Sequence, residues 1–148
     1  MMPGAQQTRV FTTLVADLFH YGHVNFLRAA RGLGDHLTVG LVSDRRAASY
    51  KRRPVLSYEE RQAVVQACRY VDEVIAIDDN LTDDFMKARD FQIRAYAVAS
   101  DDEEARYSAT LWKGMDRAYF RQISYTPGIS TSAIIDRILI RGDLRRGD

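Results

Sequence analysis

Residues 10–33 read VFTTLVADLFHYGHVNFLRAARGL, and this stretch indicates the fold of the whole chain. The mainly apolar run from Val10 to Ala16 predicts a buried strand. A helical pattern follows from Asn25 to Leu33, with its apolar side chains on one face. A strand followed by a helix is the first half of a βαβ unit, so this stretch predicts a parallel sheet.

The same alternation continues along the rest of the chain. Further strands are predicted at residues 36–43, 73–77, 95–99 and 119–124. Helices are predicted after Ser57, over residues 81–89 and from residues 128–131 onward, while residues 102–113 remain open as a further helix. We therefore predict an α/β fold with a Rossmann-like, doubly wound, five-stranded parallel sheet and helices on both faces. Such sheets bind ligands outside the C-terminal ends of their strands.

The domain is expected to span residues 9–141, after a flexible lead-in at residues 1–8 and before a polar tail or linker at residues 142–148. The lead-in lacks the apolar core of a signal peptide. A polar, basic loop is expected between Ser43 and Ser57. In the last helix, the side chains expected to face the core are Ile134, Ile135, Ile138 and Leu139.

The composition of the chain limits the classes of function that we expect for it. The chain has 148 residues, with 21 Lys and Arg against 20 Asp and Glu, so we expect neither nucleic acid nor a membrane surface as a partner. Its one cysteine, Cys68, excludes an internal disulfide and is typical of a cytoplasmic protein. No apolar run approaches the roughly 18 residues of a membrane span.

The segment DLFHYGH, residues 17–23, places His20, Gly22 and His23 between the first strand and the first helix. Glycine permits close backbone approach, and a helix N-terminus favours anions. Two imidazoles there can donate hydrogen bonds to a phosphate as negative charge builds on it. A helix cap beside an aromatic-flanked histidine explains the pattern equally well. No metal site is predicted, because no further Cys or His ligands follow at suitable spacing.

Two other segments suit anions at the same sheet edge. Residues 128–132, GISTS, place glycine and three hydroxyl side chains at a helix start, where they would serve either a phosphate or an ordinary N-cap. The basic residues between the second strand and Ser57 would close over a triphosphate or remain a solvated loop; they are Arg45, Arg46, Lys51, Arg52 and Arg53.

These segments together resemble a known family. His20-Tyr21-Gly22-His23 resembles the HxGH signature of class I nucleotidyltransferases, and residues 128–132 resemble the GIST motif of their cytidylyltransferase branch. That branch includes the glycerol-3-phosphate, choline-phosphate and ethanolamine-phosphate cytidylyltransferases. Residues 69–74, RYVDEV, are similar to its third hallmark, and Lys51 stands where the family has a loop lysine. The similarity runs from about Val10 to Ile140.

The resemblance implies transfer of CMP from CTP to a small phosphate- or phosphonate-bearing alcohol by in-line attack, with Mg²⁺ held mostly by phosphate oxygens and water. It assigns catalysis to His20, His23 and Lys51, and acceptor binding to Asp44 and Tyr125. The implied nucleotide contacts are Val15, Ala16, Asp17, Gly22, Arg69, Asp101, Gly128, Ile129, Ser130 and Thr131. The resemblance also implies a homodimer.

Three departures from the family pattern keep the acceptor open. Residues 14–17 read LVAD where the family has Gly-Thr-Phe-Asp, Ser100 replaces a usual glycine, and Tyr125 replaces a usual arginine. A phenol cannot substitute for a guanidinium fork. Glycerol 3-phosphate and 2-hydroxyethylphosphonate are both considered as acceptors. An adenylyltransferase acting on a sugar phosphate and a catalytically weakened nucleotide-binding domain remain as alternatives.

Overall fold

The computed structural model describes residues 4–145; the predictions for residues 1–3 and 146–148 lie outside this range. The strands are β1 (Arg9–Leu14), β2 (His36–Val42), β3 (Glu73–Ile77), β4 (Ile93–Tyr96) and β5 (Phe120–Gln122). The α-helices are α1 (Tyr21–Arg31), α2 (Asp44–Tyr50), α3 (Tyr58–Gln66), α4 (Asp83–Ala88), α5 (Asp101–Ala109) and α6 (Thr131–Ile140). Short 3-10 helices form at Arg117–Tyr119 and Gly142–Arg145.

All paired strands are parallel, in the order β3-β2-β1-β4-β5. The chain moves outward from β1 through β2 to β3, then returns to the other side of β1 and continues through β4 to β5. The order therefore reverses at β1, where neighbouring loops diverge and leave a crevice. This confirms the predicted α/β fold and its five-stranded, doubly wound sheet.

The side-chain alternation of β1 builds a core on each face of the sheet. Val10 is fully buried with Leu27 of α1 and Val65 of α3, while its neighbour Phe11 is fully buried with Met86 of α4 on the opposite face. Successive strand residues point to opposite faces, so one strand carries both cores. The site-bearing loops at the end of β1 thus rest on a rigid base.

The segment from Ser43 to Ser57 departs from its prediction as a loop, because its first half forms helix α2. The Ser43 hydroxyl caps this helix by accepting a hydrogen bond from the Arg46 amide at 3.1 Å. Asp44 adds a carboxylate to the first turn, where the helix dipole favours it. Ser43 and Asp44 are typical residues for a helix start. The basic residues that follow them led to the prediction of a loop.

The last helix also differs from expectation. Ile134 and Ile135 are only partly buried, while Ile138 and Leu139 are 47% and 61% exposed, so the prediction that they face the core is wrong. Periodicity predicts that one side of a helix is apolar, but it does not say which surface covers that side. Within residues 4–145, no helix is long and apolar enough to cross a membrane.

Candidate active site

A cavity of about 640 Å³ opens where the strand order reverses. Ala16 and Asp17, just after β1, line one side, and Tyr96 and Ala97, at the end of β4, line another. The sequence predicted a ligand site at this edge of the sheet, and this cavity lies there.

The two histidines hold the start of α1. His20 is the N-cap residue, and its Nδ1 accepts a hydrogen bond from the Gly22 amide at 3.1 Å. His23 lies one turn later, and its Nδ1 accepts from the His20 amide, also at 3.1 Å. The pair forms a capping box in which imidazoles replace the usual Ser and Glu. Because each Nδ1 accepts, each neutral ring carries its proton on Nε2.

The alternatives left open by the sequence, a helix cap and a phosphate contact, are therefore compatible. Both imidazoles line the cavity, and each retains an Nε2–H after its Nδ1 has been used in the cap. The ring centroids are 3.9 Å apart, so one small anion can meet both rings. The arrangement supplies two neutral hydrogen-bond donors at the N-terminus of a helix.

Gly22 allows this packing. A Cβ atom at this position would lie 2.8 Å from His20 Cε1 and 3.1 Å from Ile129 Cγ2. Any side chain would therefore push His20 away from its cap, or α1 away from the segment before α6. The glycine of the motif is required by steric contact with both neighbours.

Burial keeps the two imidazoles neutral. It lowers the pKa of His23 to about 4, with further lowering from His20 and Lys51 and an opposing effect from Asp17. Burial also lowers the pKa of His20. Both rings are therefore neutral near pH 7 and can donate a hydrogen bond without first taking up a proton.

Lys51 follows α2 and lines the same cavity. Lys51 is an exposed residue, but the protein around its ammonium lowers its pKa by desolvation, against the effect of Glu103. Its charge is close enough to His23 to lower the pKa of that ring. The structure thus brings together all three residues predicted as catalytic.

Asp17 fixes the segment that leads from Lys51 to α3. It is 5% exposed, and its two carboxylate oxygens accept hydrogen bonds from the amides of Val55 and Leu56 at 2.8 and 3.0 Å. Ala16, beside it, adopts a φ of 56°, a conformation uncommon for a residue with a side chain. This bend ends β1 before Ala16 and turns Asp17 toward the segment it holds.

Arg61 of α3 also holds together the segments that surround the cavity. Its guanidinium is fully buried and donates to the carbonyls of Val15 and Val42 at 2.7 and 2.8 Å. It also forms an ion pair with Asp44 at 2.5 Å. One side chain therefore ties the ends of β1 and β2 to the start of α2, which carries Lys51 at its other end.

The start of α6 is hydrogen-bonded to the segment that follows β1. Ser130 caps the helix by accepting from the Ala133 amide at 3.0 Å, and the Thr131 hydroxyl donates to the Asp17 carbonyl at 2.9 Å. Gly128 has a φ of 81°, and Ile129 is buried against the cavity. Both hydroxyls already have protein partners, so a phosphate here would first meet backbone N–H groups.

The cavity brings together most of the residues predicted as functional, but not all. Those that line it are Val15, Ala16, Asp17, His20, Gly22, His23, Lys51, Tyr125, Ile129 and Thr131. Five others do not line it: Asp44, Arg69, Asp101, Gly128 and Ser130. Arg69 lies in the exposed turn before β3, at the opposite edge of the sheet. Asp101 is exposed in the first turn of α5, and the Asp44 carboxylate is engaged by Arg61.

Sequence reasoning missed one end of the cavity, which is lined by Tyr96, Tyr107 and Trp112. The Trp112 ring lies 4.9 Å from Tyr96 and 5.5 Å from Tyr107, between ring centroids. Arg94 lines this end too and is only 4% exposed. An arginine inside the otherwise uncharged strand IRAY was a signal, because arginine is seldom fully buried without a partner.

Charge in the cavity favours anions. Four cationic residues line it, Lys51, Arg52, Arg94 and Arg106, against the two carboxylates of Asp17 and Glu103. Asp17 is engaged by backbone amides, and Glu103 accepts from the Ala99 amide and the Tyr107 hydroxyl. Among residues 4–145 there is no cluster of three or more His, Cys, Asp or Glu that could hold a metal. A divalent ion here would depend on oxygens of the ligand.

The parallel sheet has a cationic cavity where its strand order reverses, beside a helix start capped by two imidazoles. Such an arrangement in an α/β domain is suited to phosphates. The comparisons with known proteins make this class more specific. The family model described as cytidylyltransferase-like matches residues 15–137.

Curated relatives agree. An ethanolamine-phosphate cytidylyltransferase from Arabidopsis thaliana is 39% identical over an alignment of 139 residues that covers 89% of this chain and 32% of the relative. Choline-phosphate cytidylyltransferase A from Homo sapiens is 36% identical, over 98% of this chain and 42% of the relative. The chain thus spans less than half the length of these relatives. A crystal structure of a lipopolysaccharide core biosynthesis protein from Thermoplasma volcanium shares the fold, with a TM-score of 0.65 and 22% identity, over 82% of this chain and 99% of that one.

The chain belongs to the cytidylyltransferase-like family, a family of nucleotidyltransferases.

Proposed function

We propose that this domain transfers CMP from CTP to the phosphate or phosphonate of a small alcohol. The observation that carries the proposal is the meeting of His20, His23 and Lys51 in one cavity at the N-terminus of α1. Two neutral donors and one cation are suited to an α-phosphate on which charge increases during attack. Membership of the cytidylyltransferase-like family supports CTP as the donor.

The reaction is a single displacement. An oxygen of the acceptor phosphate attacks the α-phosphorus of CTP and forms a new P–O bond. The bond between the α-phosphorus and the oxygen bridging to the β-phosphate breaks, and pyrophosphate leaves with its electron pair. No protein nucleophile takes part, and the acceptor oxygen needs no general base because it is already ionised near pH 7.

Each group in the cavity has a proposed role. The Nε2–H groups of His20 and His23 donate to the α-phosphate, and Lys51 neutralises part of its charge. The N-terminus of α6 receives the β- and γ-phosphates through backbone N–H groups. Mg²⁺ enters with the triphosphate and is held by phosphate oxygens and water, which fits a cavity whose two carboxylates already accept hydrogen bonds from the protein.

The acceptor is proposed to enter beside Tyr125. This residue lines the cavity and is 48% exposed, as expected for a side chain at the entrance. A phenol offers one neutral hydrogen bond and an apolar ring face, where the family has an arginine. Acceptor choice at this position therefore depends on shape more than on charge.

We also propose a homodimer in the cytoplasm. The apolar residues Ile138, Leu139 and Ile140, exposed along α6, support association, since exposed apolar patches commonly mark contacts. Sedimentation of the purified chain should give the mass of two copies at micromolar concentration. A monomer throughout that range would contradict the dimer without affecting the chemistry proposed for one cavity.

The proposed activity is tested by measuring pyrophosphate release with CTP, ATP or GTP across a panel of phosphorylated and phosphonylated alcohols in Mg²⁺. We expect release with CTP only, dependent on an acceptor. Release with ATP alone would overturn the choice of nucleotide and favour an adenylyltransferase. Nucleotide binding without release on any acceptor would favour a domain that has lost catalysis.

A further inference from the structure

Arg94 of β4 is a buried cation for which residues 4–145 provide no carboxylate partner. It is 4% exposed and lines the aromatic end of the cavity. Within residues 4–145 it forms no ion pair, and its side-chain hydrogen bond runs from Nη1 to the Met115 sulfur at 3.0 Å. Its guanidinium also lies 5.3 Å from the centre of the Phe120 ring. A thioether and an aromatic ring can contact the guanidinium, but neither carries a negative charge that would balance it.

The nearby carboxylates are engaged elsewhere. Glu103 accepts from the Ala99 amide at 2.6 Å and from the Tyr107 hydroxyl at 2.7 Å. Glu104 accepts from the Tyr96 hydroxyl and forms an ion pair with Arg117. Burial, and then the charge of Arg117, lower the pKa of Arg94 to about 10, so the guanidinium is still protonated near pH 7. An uncompensated buried charge is costly, so an anion from outside the protein would stabilise this end of the cavity.

Arg94 lies away from the reacting end of the cavity. It precedes Tyr96 by two residues on the same face of β4, about 7 Å further from the C-terminal edge of the sheet. The charges that affect the pKa of Lys51 are those of Glu103, Arg106 and Arg52, whereas the one that affects Arg94 is that of Arg117. The two cations thus serve different ends of the cavity.

We propose that Arg94 binds a second anionic group at the far end of the acceptor, so that the preferred acceptor carries a phosphate or phosphonate at one end and a carboxylate or second phosphate at the other. This inference rests on the proposed function. The first anion attacks the α-phosphate held by His20, His23 and Lys51. The second neutralises Arg94 at the end of the cavity lined by Tyr96 and Trp112. An acceptor ending in an ammonium group would instead bring a second cation to Arg94.

Three two-carbon acceptors of matched length test the inference: phosphoglycolate, 2-hydroxyethyl phosphate and phosphoethanolamine, which end in a carboxylate, a hydroxyl and an ammonium group. We expect kcat/KM with CTP to be about 10–100-fold higher for phosphoglycolate than for the other two, the range of a hydrogen bond to a charged group. Arg94→Met should remove this preference, whereas Arg94→Lys should retain part of it. Arg89→Met, which changes an exposed arginine outside the cavity, should preserve it.

A binding measurement separates this inference from the proposed activity. Phosphoglycolate should raise the melting temperature of the wild type and of Arg89→Met, but not of Arg94→Met. Without ligand, Arg94→Met should be at least as stable as the wild type, because it replaces an unbalanced buried charge with an apolar side chain of similar length.

Transfer of CMP with equal efficiency to all three acceptors would overturn the inference and leave the proposed activity standing. An unchanged acceptor preference in Arg94→Met would also overturn it. If no acceptor reacts, the proposed activity fails, and the melting measurements alone decide whether Arg94 holds an anion.

Discussion

His20 and His23 each use one ring nitrogen to build the fold and keep the other for the cavity. Their Nδ1 atoms accept backbone amides at the start of α1, which sets the proton on each Nε2. The same hydrogen bonds therefore cap the helix and orient the donors. A capping box requires one residue at the N-cap and the other at the third helical position. This requirement explains the spacing of His20 and His23.

Replacing either histidine with alanine should lower turnover about 10²–10³-fold, the scale of losing one donor to a developing oxyanion. The affinity for CTP should change much less, since many other groups hold the nucleotide. His36→Ala is the matched control: His36 starts β2 and does not line the cavity. Steady-state kinetics with CTP and an active acceptor measure the effect. Near-wild-type turnover in both variants would contradict the role.

The lowered pKa of His23 also predicts a pH dependence of stability. The folded pKa of about 4 lies below the usual 6.5, so the fold favours the neutral ring. Its contribution is fully present above about pH 6.5 and is lost as the pH falls toward 4. Between pH 7 and 5, urea unfolding should show a loss about 1–2 kcal/mol larger for the wild type than for His23→Gln. Equal losses would show that His23 is solvated in the folded protein.

Tyr125 lies where the family has an arginine, and its substitution tests the acceptor entrance. Tyr125→Phe should change the KM of the acceptor and leave that of CTP nearly constant, because the variant removes only the hydroxyl. Tyr125→Arg should improve activity on ordinary phosphorylated alcohols relative to the native acceptor. Should both variants keep wild-type acceptor profiles and KM values, Tyr125 would be a packing residue in the segment after β5.

At the scale of elements, the buried guanidinium of Arg61 holds β1, β2 and α2 together. Arg61→Met removes the partner of Asp44 and leaves the carbonyls of Val15 and Val42 without their donor, so unfolding free energy should fall by about 3–5 kcal/mol. Arg45→Met breaks an exposed ion pair with Asp78 and should lower the unfolding free energy far less. Similar losses in the two variants, measured by chemical denaturation, would contradict the account of Arg61.

Lys51 follows α2, so its position depends on that helix. Lys51→Ala should lower turnover about 10²-fold or more and change the melting temperature by little, because an exposed lysine adds little to folding. Arg53→Ala is its control, since Arg53 is exposed and does not line the cavity. A collapse of the melting temperature with unchanged turnover would show that Lys51 is structural.

The elements also show what could be predicted from the sequence. The alternating strands and helices and the histidine and GISTS motifs were readable, because each depends on local periodicity or on one turn. The roles of Arg61 and Arg94 could not be predicted from the sequence, because both depend on contacts between distant segments. Arg94 meets Met115 and Phe120, and nothing local to IRAY shows that a cavity lies beside it.

At the scale of the molecule, the reversal of strand order at β1 brings distant segments to one place. The segment after β1, the segment before α3 and the start of α6 meet at the cavity through Asp17, which contacts Leu56 and Thr131. The cavity therefore has two ends of different chemistry: one with His20, His23 and Lys51, and an aromatic end with Arg94. We propose that the reaction takes place at the first end and that the second end recognises the far end of the acceptor.

CTP labelled separately at the α- and the γ-phosphorus tests the central claim most directly. With an active acceptor and Mg²⁺, the account predicts that the α label appears in a CMP conjugate of the acceptor and the γ label in pyrophosphate, in equal amounts. Transfer of the γ label to the acceptor, or release of labelled CMP with no conjugate, would contradict it.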